Sequence, residues 1–335
     1  MEYRILGKTG LRVSRVGFGG IPIQRIAAAQ AHDLLRAVAD AGINFIDTAK
    51  AYTVSEAYIG AAIEGMRDRF VLATKSGAKT RDAMAADIDD SLRKLRTDYI
   101  DLYQIHNPNP AQFESVCAPG GALDALLAAR AAGKIGHIGV TAHSAEVFER
   151  ALTLDWVETI MFPYNIVETQ GASLIARCAE RNIGFIAMKP LAGGALEDAA
   201  LEMRFICAND AVTVVIPGMY APDEVTQNVA AAAESDPLTA ADETRIAEIR
   251  RTLGGNFCRR CNYCAPCTVG IAIPSVFLFE GYLSRYGLEQ WARERYATLS
   301  VPASACVGCG ACEPRCPYQL PIREMMRKSA MEFGM

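Results

Sequence analysis

FVLATKSGAKTRDAMAADIDDSLRKLRTDYIDLYQIH, residues 70–106, is the stretch whose reading decides the fold. It opens on a short apolar run, FVLATK (70–75), and closes on another, YIDLYQIH (99–106). Runs of that length, rich in β-branched and aromatic residues, suit buried strands. Between them Ile88, Leu92 and Leu95 share one face at helical spacing. Strand, helix, strand is the unit from which parallel sheets are built, because parallel strands need a long crossover.

The same alternation continues outward. Upstream lie RVSRVGFG (12–19) and NFIDTA (44–49), with the helix-like AQAHDLLRAVADAG between them. Downstream lie IGHIGVTA (135–142), TIMFPYN (159–165), GFIAMKP (184–190) and AVTVVIP (211–217). Eight predicted strands, each followed by a helical pattern, imply an α/β chain folded as a closed (β/α)8 TIM barrel. The rival, an open doubly wound sheet, carries GxGxxG after its first strand. Here that place holds only GFGG (17–20). The chain, at 335 residues, exceeds the roughly 250 of such a barrel. After about Asn228 it becomes helical and Ala-rich, and its character changes again at Gly254–Gly255. The expected division is a barrel over 1–254 and a small, mainly helical domain over 255–335.

Apolar residues make up 51% and charged residues 21%, the balance of a globular rather than a disordered chain. A net charge of -4 argues against a nucleic-acid partner. The last 81 residues hold more Arg and Lys than Glu, and no Asp, which reads as a solvated basic surface. The opening MEYRILGKTGLRV has no apolar run of signal-peptide length, and no stretch approaches the ~18 apolar residues of a membrane span. A cytoplasmic protein without a membrane segment is expected. Eleven Cys in a reducing compartment point to metal or redox chemistry rather than disulfides.

Barrels of this kind carry their chemistry at the C-terminal strand ends. Asp47 ends the second predicted strand, Tyr52 follows in the next loop, Lys75 ends the third and His106 the fourth. A phenol is a poor acid–base group near neutrality. A neighbouring ammonium favours its anion, Asp47 can hold that ammonium charged, and His106 can orient a carbonyl by hydrogen bonding. FIDTAKAY (45–52), VLATK (71–75) and DLYQIH (101–106) resemble three signatures of the aldo-keto reductase superfamily. The resemblance implies that Tyr52 is the general acid, assisted by Lys75 and Asp47, with His106 placing the substrate.

The resemblance also implies a nicotinamide dinucleotide lying across the barrel mouth. Its contacts map onto Thr141, Asn165 and Met188, onto Pro190, Leu191 and Gly193 in KPLAGG (189–194), and onto Gly218, Met219, Glu224, Gln227 and Asn228 in IPGMYAPDEVTQN (216–228). Some positions depart from the better-known members. Met161 replaces a Gln near the carboxamide, Met188 an aromatic stacked on nicotinamide, and Ala142 an Asn. Gly218 and Glu224 stand where a Lys and an Arg grip the 2′-phosphate. An acid there repels NADPH and suits a free ribose hydroxyl, so NADH is the expected dinucleotide, or affinity for either is low.

The tail carries Cys258, Cys261, Cys264 and Cys267 in FCRRCNYCAPC and Cys306, Cys309, Cys312 and Cys316 in ACVGCGACEPRCP. The second run is C-x2-C-x2-C-x3-C-P, the bacterial ferredoxin pattern, in which the fourth Cys ligates the other cluster. Two [4Fe–4S] clusters follow. One takes Cys258, Cys261, Cys264 and Cys316, the other Cys306, Cys309, Cys312 and Cys267. The first run departs from the pattern, with Thr268 where Pro is usual. Zinc sites favour paired Cys, so triple repeats read as iron–sulfur. The helical segment between the runs makes the domain resemble helical ferredoxins. The whole chain resembles aldo-keto reductases with a C-terminal ferredoxin-like domain. Three functions follow: an NAD(P)-linked oxidoreductase of a carbonyl or alcohol, with ferredoxin or another electron carrier as partner; a ferredoxin-fed reductase without dinucleotide; or a redox sensor.

Overall fold

The computed structural model describes all residues except 197, 234–236, 254–256, 261, 286, 317 and 335. Among the described residues there are ten strands: β1 (Tyr3–Ile5), β2 (Arg12–Ser14), β3 (Phe18–Gly19), β4 (Phe45–Asp47), β5 (Val71–Ser76), β6 (Ile100–His106), β7 (Ile135–Thr141), β8 (Thr159–Pro163), β9 (Gly184–Met188) and β10 (Val214–Ile216). Strands β3 to β10 form one parallel sheet in sequence order. Its ends meet through parallel bridges Val16–Val215 and Gly19–Gly218, which close the barrel. That seam needs glycine: a Cβ on Gly19 would lie 2.8 Å from the Pro217 carbonyl oxygen. The run RVSRVGFG does not enter the barrel whole. Arg12–Ser14 pairs antiparallel with Tyr3–Ile5, and only Phe18–Gly19 joins the main sheet.

Side chains alternate between the two faces of each strand, as the period of two requires. On β5, Val71 and Ala73 belong to the interior cluster with Leu102, Met161, Ile186 and Val214. Leu72 packs outward among the helices with Tyr103 and Ile105 of β6. Leu6 and Val13, from the N-terminal strand pair, also join the interior cluster. Helices follow every barrel strand, among them Ala28–Asp40, Ser55–Ala62, Arg81–Lys94 and Pro222–Ala233. The segment 108–121 contains helix Pro110–Cys117. It is capped reciprocally: Gln112 N donates to Asn109 Oδ1 at 2.9 Å, and Asn109 N to Gln112 Oε1 at 3.1 Å.

By packing, the chain divides into two units. The first comprises Met1–Asn165, Thr169–Leu191 and Asp198–Leu238; the second comprises Ile166–Glu168, Ala192–Glu197 and Thr239–Met335. The expected boundary at Gly254–Gly255 lies outside the described residues, and helix Ala240–Leu253, expected with the barrel, groups with the second unit. That unit is helical among the described residues, with Ile273–Ser284, Glu289–Ala297 and Ile322–Glu332 packed around Val276, Phe277, Ala292 and Met326. Tyr296 stacks on Phe333 at 3.8 Å between centroids, and its hydroxyl accepts from Ala303 N at 2.7 Å. No helix among the described residues is long and apolar enough to cross a membrane.

Candidate active site

Register sets the site. Asp47 pairs in the ladder with Ala73, Lys75 with Gln104, and His106 with Thr141. The inward ends of β4, β5 and β6 therefore present Asp47, Lys75 and His106 side by side. Tyr52 follows in a tight turn: its N–H donates to Ala49 O at 2.9 Å, and its carbonyl accepts from Ser55 N at 2.7 Å. Lys75 Nζ donates to Asp47 Oδ2 at 2.6 Å and to Thr48 O at 2.8 Å. Both members of the pair are almost fully buried, at 2% and 3% exposure. The ammonium stands 5.1 Å from the centre of the Tyr52 ring. That ring meets His106 edge-on, with centroids 6.1 Å apart. All four predicted residues come together.

Burial pushes the Asp47 carboxyl up from its ordinary value, against the pull of Lys75 and of a bond from Gln104. Burial pushes the Lys75 ammonium down, against the pull of Asp47. Each charge thus opposes the burial that favours the other's neutral form, and the ammonium becomes readier to exchange its proton. A desolvated ammonium beside a phenol is an arrangement for moving a proton to or from a substrate oxygen.

The residues expected around a dinucleotide divide. Asn165, fully buried, donates to the Lys189 carbonyl at 2.9 Å, and Lys189 holds a positive φ of 56°. Thr141 Oγ1 accepts from Asn107 N at 3.0 Å. Met188 and Met161 are buried in the barrel interior, Pro190 is buried and Leu191 half-buried. Gly193 groups with the second unit. Gly218 is exposed at the seam, Met219 is buried, and Gln227 is exposed on helix Pro222–Ala233. Glu224 differs from its sequence reading: its Oε2 accepts from Tyr220 N at 2.7 Å and Ala221 N at 3.3 Å. The acid thus caps its own helix. A cation the sequence reading missed, Arg25, stands 5.3 Å from the Tyr220 ring. Asn228 donates to Glu224 O at 2.8 Å, while its Oδ1 is buried without a partner among the described residues, an acceptor that the amine of a dinucleotide's adenine would suit.

In the second unit the thiols gather around two pockets. Cys267, Cys306, Cys309 and Cys312 line one, with Arg315 and Arg323 in its wall. Cys258, Cys264 and Cys316 line the other. Cys261 lies outside the described residues. The crossing expected from spacing is the grouping seen: the last Cys of each run sits with the other run. The fit to iron–sulfur clusters rests on this donor set, four thiols about one pocket with apolar walls from Val269 and Ile271 and glycines of positive φ at Gly308 and Gly310. Cys178, by contrast, is buried in the barrel, which pushes its thiol up to about 12.

Residues 15–204 match the aldo/keto reductase family. The chain belongs to that family. Residues 257–321 match a 4Fe-4S dicluster domain. Among relatives of this aldo/keto reductase, an L-galactose dehydrogenase of Arabidopsis thaliana is 26% identical over 305 residues, covering 76% of this chain and 94% of its own. Aldo-keto reductase YhdN of Bacillus subtilis (strain 168) is 33% identical over 201 residues, 54% of this chain and 59% of its own. The solved holo form of aldo-keto reductase AKR11C1 from Bacillus halodurans superposes with a TM-score of 0.65 at 26% identity, covering 74% of this chain and 96% of that one. The chain is an oxidoreductase of this family with a (β/α)8 barrel and a C-terminal 4Fe-4S dicluster domain.

Proposed function

We propose that this aldo/keto reductase interconverts a small carbonyl compound and its alcohol with a nicotinamide dinucleotide, preferring NADH, and that its second unit holds two [4Fe–4S] clusters that exchange electrons with ferredoxin or another carrier. The observation that carries the reading is the buried Lys75–Asp47 pair at 2.6 Å set beneath Tyr52. Bound nicotinamide supplies or accepts the hydride. In reduction, the Tyr52 hydroxyl gives its proton to the carbonyl oxygen, and the Lys75 ammonium stabilises the phenolate that remains. In oxidation the phenolate takes the proton back. His106 orients the substrate oxygen, and Asp47 holds Lys75 charged. Glu224 at the adenosine end disfavours a 2′-phosphate. Cys267, Cys306, Cys309 and Cys312 would hold one cluster, and Cys258, Cys261, Cys264 and Cys316 the other. Bound clusters supply one-electron storage and transfer.

The test is an anaerobic titration with NADH and then NADPH, watching the visible absorbance of the clusters beside carbonyl reduction by the parent and by Tyr52→Phe. Bleaching by NADH, its hydride pair split into single electrons by a flavin or a substrate radical, with activity lost in Tyr52→Phe, is the expected result. Clusters that ignore both dinucleotides and bleach only with a strong chemical reductant would favour a ferredoxin-fed reductase. Met161 and Met188, standing in place of nicotinamide-binding side chains, lean that way.

A further inference from the structure

Gln104 sits where the fold alone would place an apolar side chain. It faces the barrel interior on β6, one pleat before His106 and two residues after Leu102, which belongs to the apolar interior cluster. It is fully buried. Its ladder neighbours are Lys75 on β5 and Gly139 on β7. A Cβ on Gly139 would come within 3.1 Å of Gln104 Cγ, so the glycine leaves the amide its room. Gln104 Nε2 donates to Asp47 Oδ1 at 3.2 Å, while Lys75 takes Oδ2. Gln104 Oε1 is buried with no partner among the described residues. An amide with one end unpaired is a burden to packing; its other end is bound to the site.

We propose that Gln104 is a positioning residue for the reaction, fixing the second oxygen of Asp47 so that the carboxylate stays ionised and turned towards Lys75. The inference rests on the tetrad reading above. Asp47 is faced by Lys75 from β5 and by Gln104 from β6; Lys75 in turn stands against the Tyr52 ring, which meets His106 of β6 edge-on, and is acted on by Glu56 from helix Ser55–Ala62. Burial disfavours the charged carboxylate, and the amide N–H is one of two side chains that oppose this. Removing a donor that favours the anion raises the pH at which Asp47 takes a proton. The loss of activity at low pH therefore begins earlier.

The experiment compares the parent, Gln104→Leu, Gln104→Met and Tyr52→Phe. The readouts are thermal melting and the pH profile of kcat/KM for carbonyl reduction. Expected for both Gln104 variants are a fall in kcat/KM of about tenfold near neutrality and an acid limb moved to higher pH. A parent-like rate and profile in whichever variant folds overturns the proposal. So does a lowered melting temperature with an unmoved profile, which would make Gln104 a packing residue. Tyr52→Phe separates the two levels: if it keeps full activity, the tetrad reading itself falls, whereas an inactive Tyr52→Phe beside an unaltered Gln104→Leu removes only the role given to Gln104.

Discussion

Replacing Lys75 by Met tests the core of the site, because it removes the charge and keeps most of the stem. The ammonium lies 5.1 Å from the centre of the Tyr52 ring. At an effective dielectric of about 20, a unit charge at that distance stabilises the phenolate by about 3 kcal/mol. If the phenolate is largely formed in the transition state, its loss lowers kcat/KM about a hundredfold. The same substitution leaves Asp47 buried without its counter-ion, which costs about 3–5 kcal/mol of stability, so poor folding could imitate lost catalysis. The double variant Asp47→Asn, Lys75→Met separates them. It removes both charges, regains most of the stability, and stays about a hundredfold slow. The parent should also lose activity as the pH rises through the Lys75 value, which burial sets below the ordinary 10.5; neither variant should keep that limb. The assay is steady-state carbonyl reduction across pH, with circular dichroism melting as the check on folding. A folded double variant within threefold of the parent would refute the electrostatic argument.

The thiol grouping predicts a crossed response: Cys316→Ser should damage the cluster held with Cys258 and Cys264, and Cys267→Ser the one held with Cys306, Cys309 and Cys312. Each should lower bound iron by up to about half, and electron paramagnetic resonance of the reduced variants should show different survivors; the same surviving signal in both would contradict the pairing. Glu158 predicts an acid-sensitive contribution to barrel stability. Burial pushes its carboxyl up, but a bond with His137 Nδ1 at 2.7 Å, the Ile138 N–H and the charges of His137 and Arg130 outweigh this and leave it below 4.5. That stabilisation is present above 4.5 and lost as the pH falls through the folded value. Glu158→Gln should cost about 1 kcal/mol at pH 7 and lose this part of the acid dependence in urea unfolding. Glu224→Gln keeps an oxygen for the Tyr220 and Ala221 N–H groups but removes the charge; fluorescence titration should show NADPH gaining on NADH, and an unchanged ratio would clear Glu224 of any part in selection.

What the sequence discloses of this molecule follows from the range over which each feature is set. Barrel strands are legible because a parallel strand is buried on both faces and reads as an apolar run. The tetrad is legible because each member lies at or just after such a run. The split of residues 12–19 is not, since a short run does not say which sheet it will join, and here the first three residues pair with Tyr3–Ile5 instead. The helix at Pro110–Cys117 did carry a signal, Asn109 three residues before Gln112, inside a stretch whose Pro and Gly content reads as loop. Gln104 also left a trace, an amide on the inward side of a strand whose Leu102 faces the apolar core. Its bond to Asp47 crosses the intervening strand β5 and is invisible to any local pattern. The dinucleotide end shows the limit most sharply. From the chain alone, Glu224 is a charge placed against a phosphate. In the fold its carboxylate is held by the Tyr220 and Ala221 N–H groups just before its own helix, and Arg25 arrives at Tyr220 from the 3-10 turn Ile21–Arg25 after the first barrel strand. The selectivity proposed there sets an acid already engaged by two N–H groups against a cation brought from the far end of the barrel sequence. A reading of the 216–228 loop by itself contains only one of the contestants.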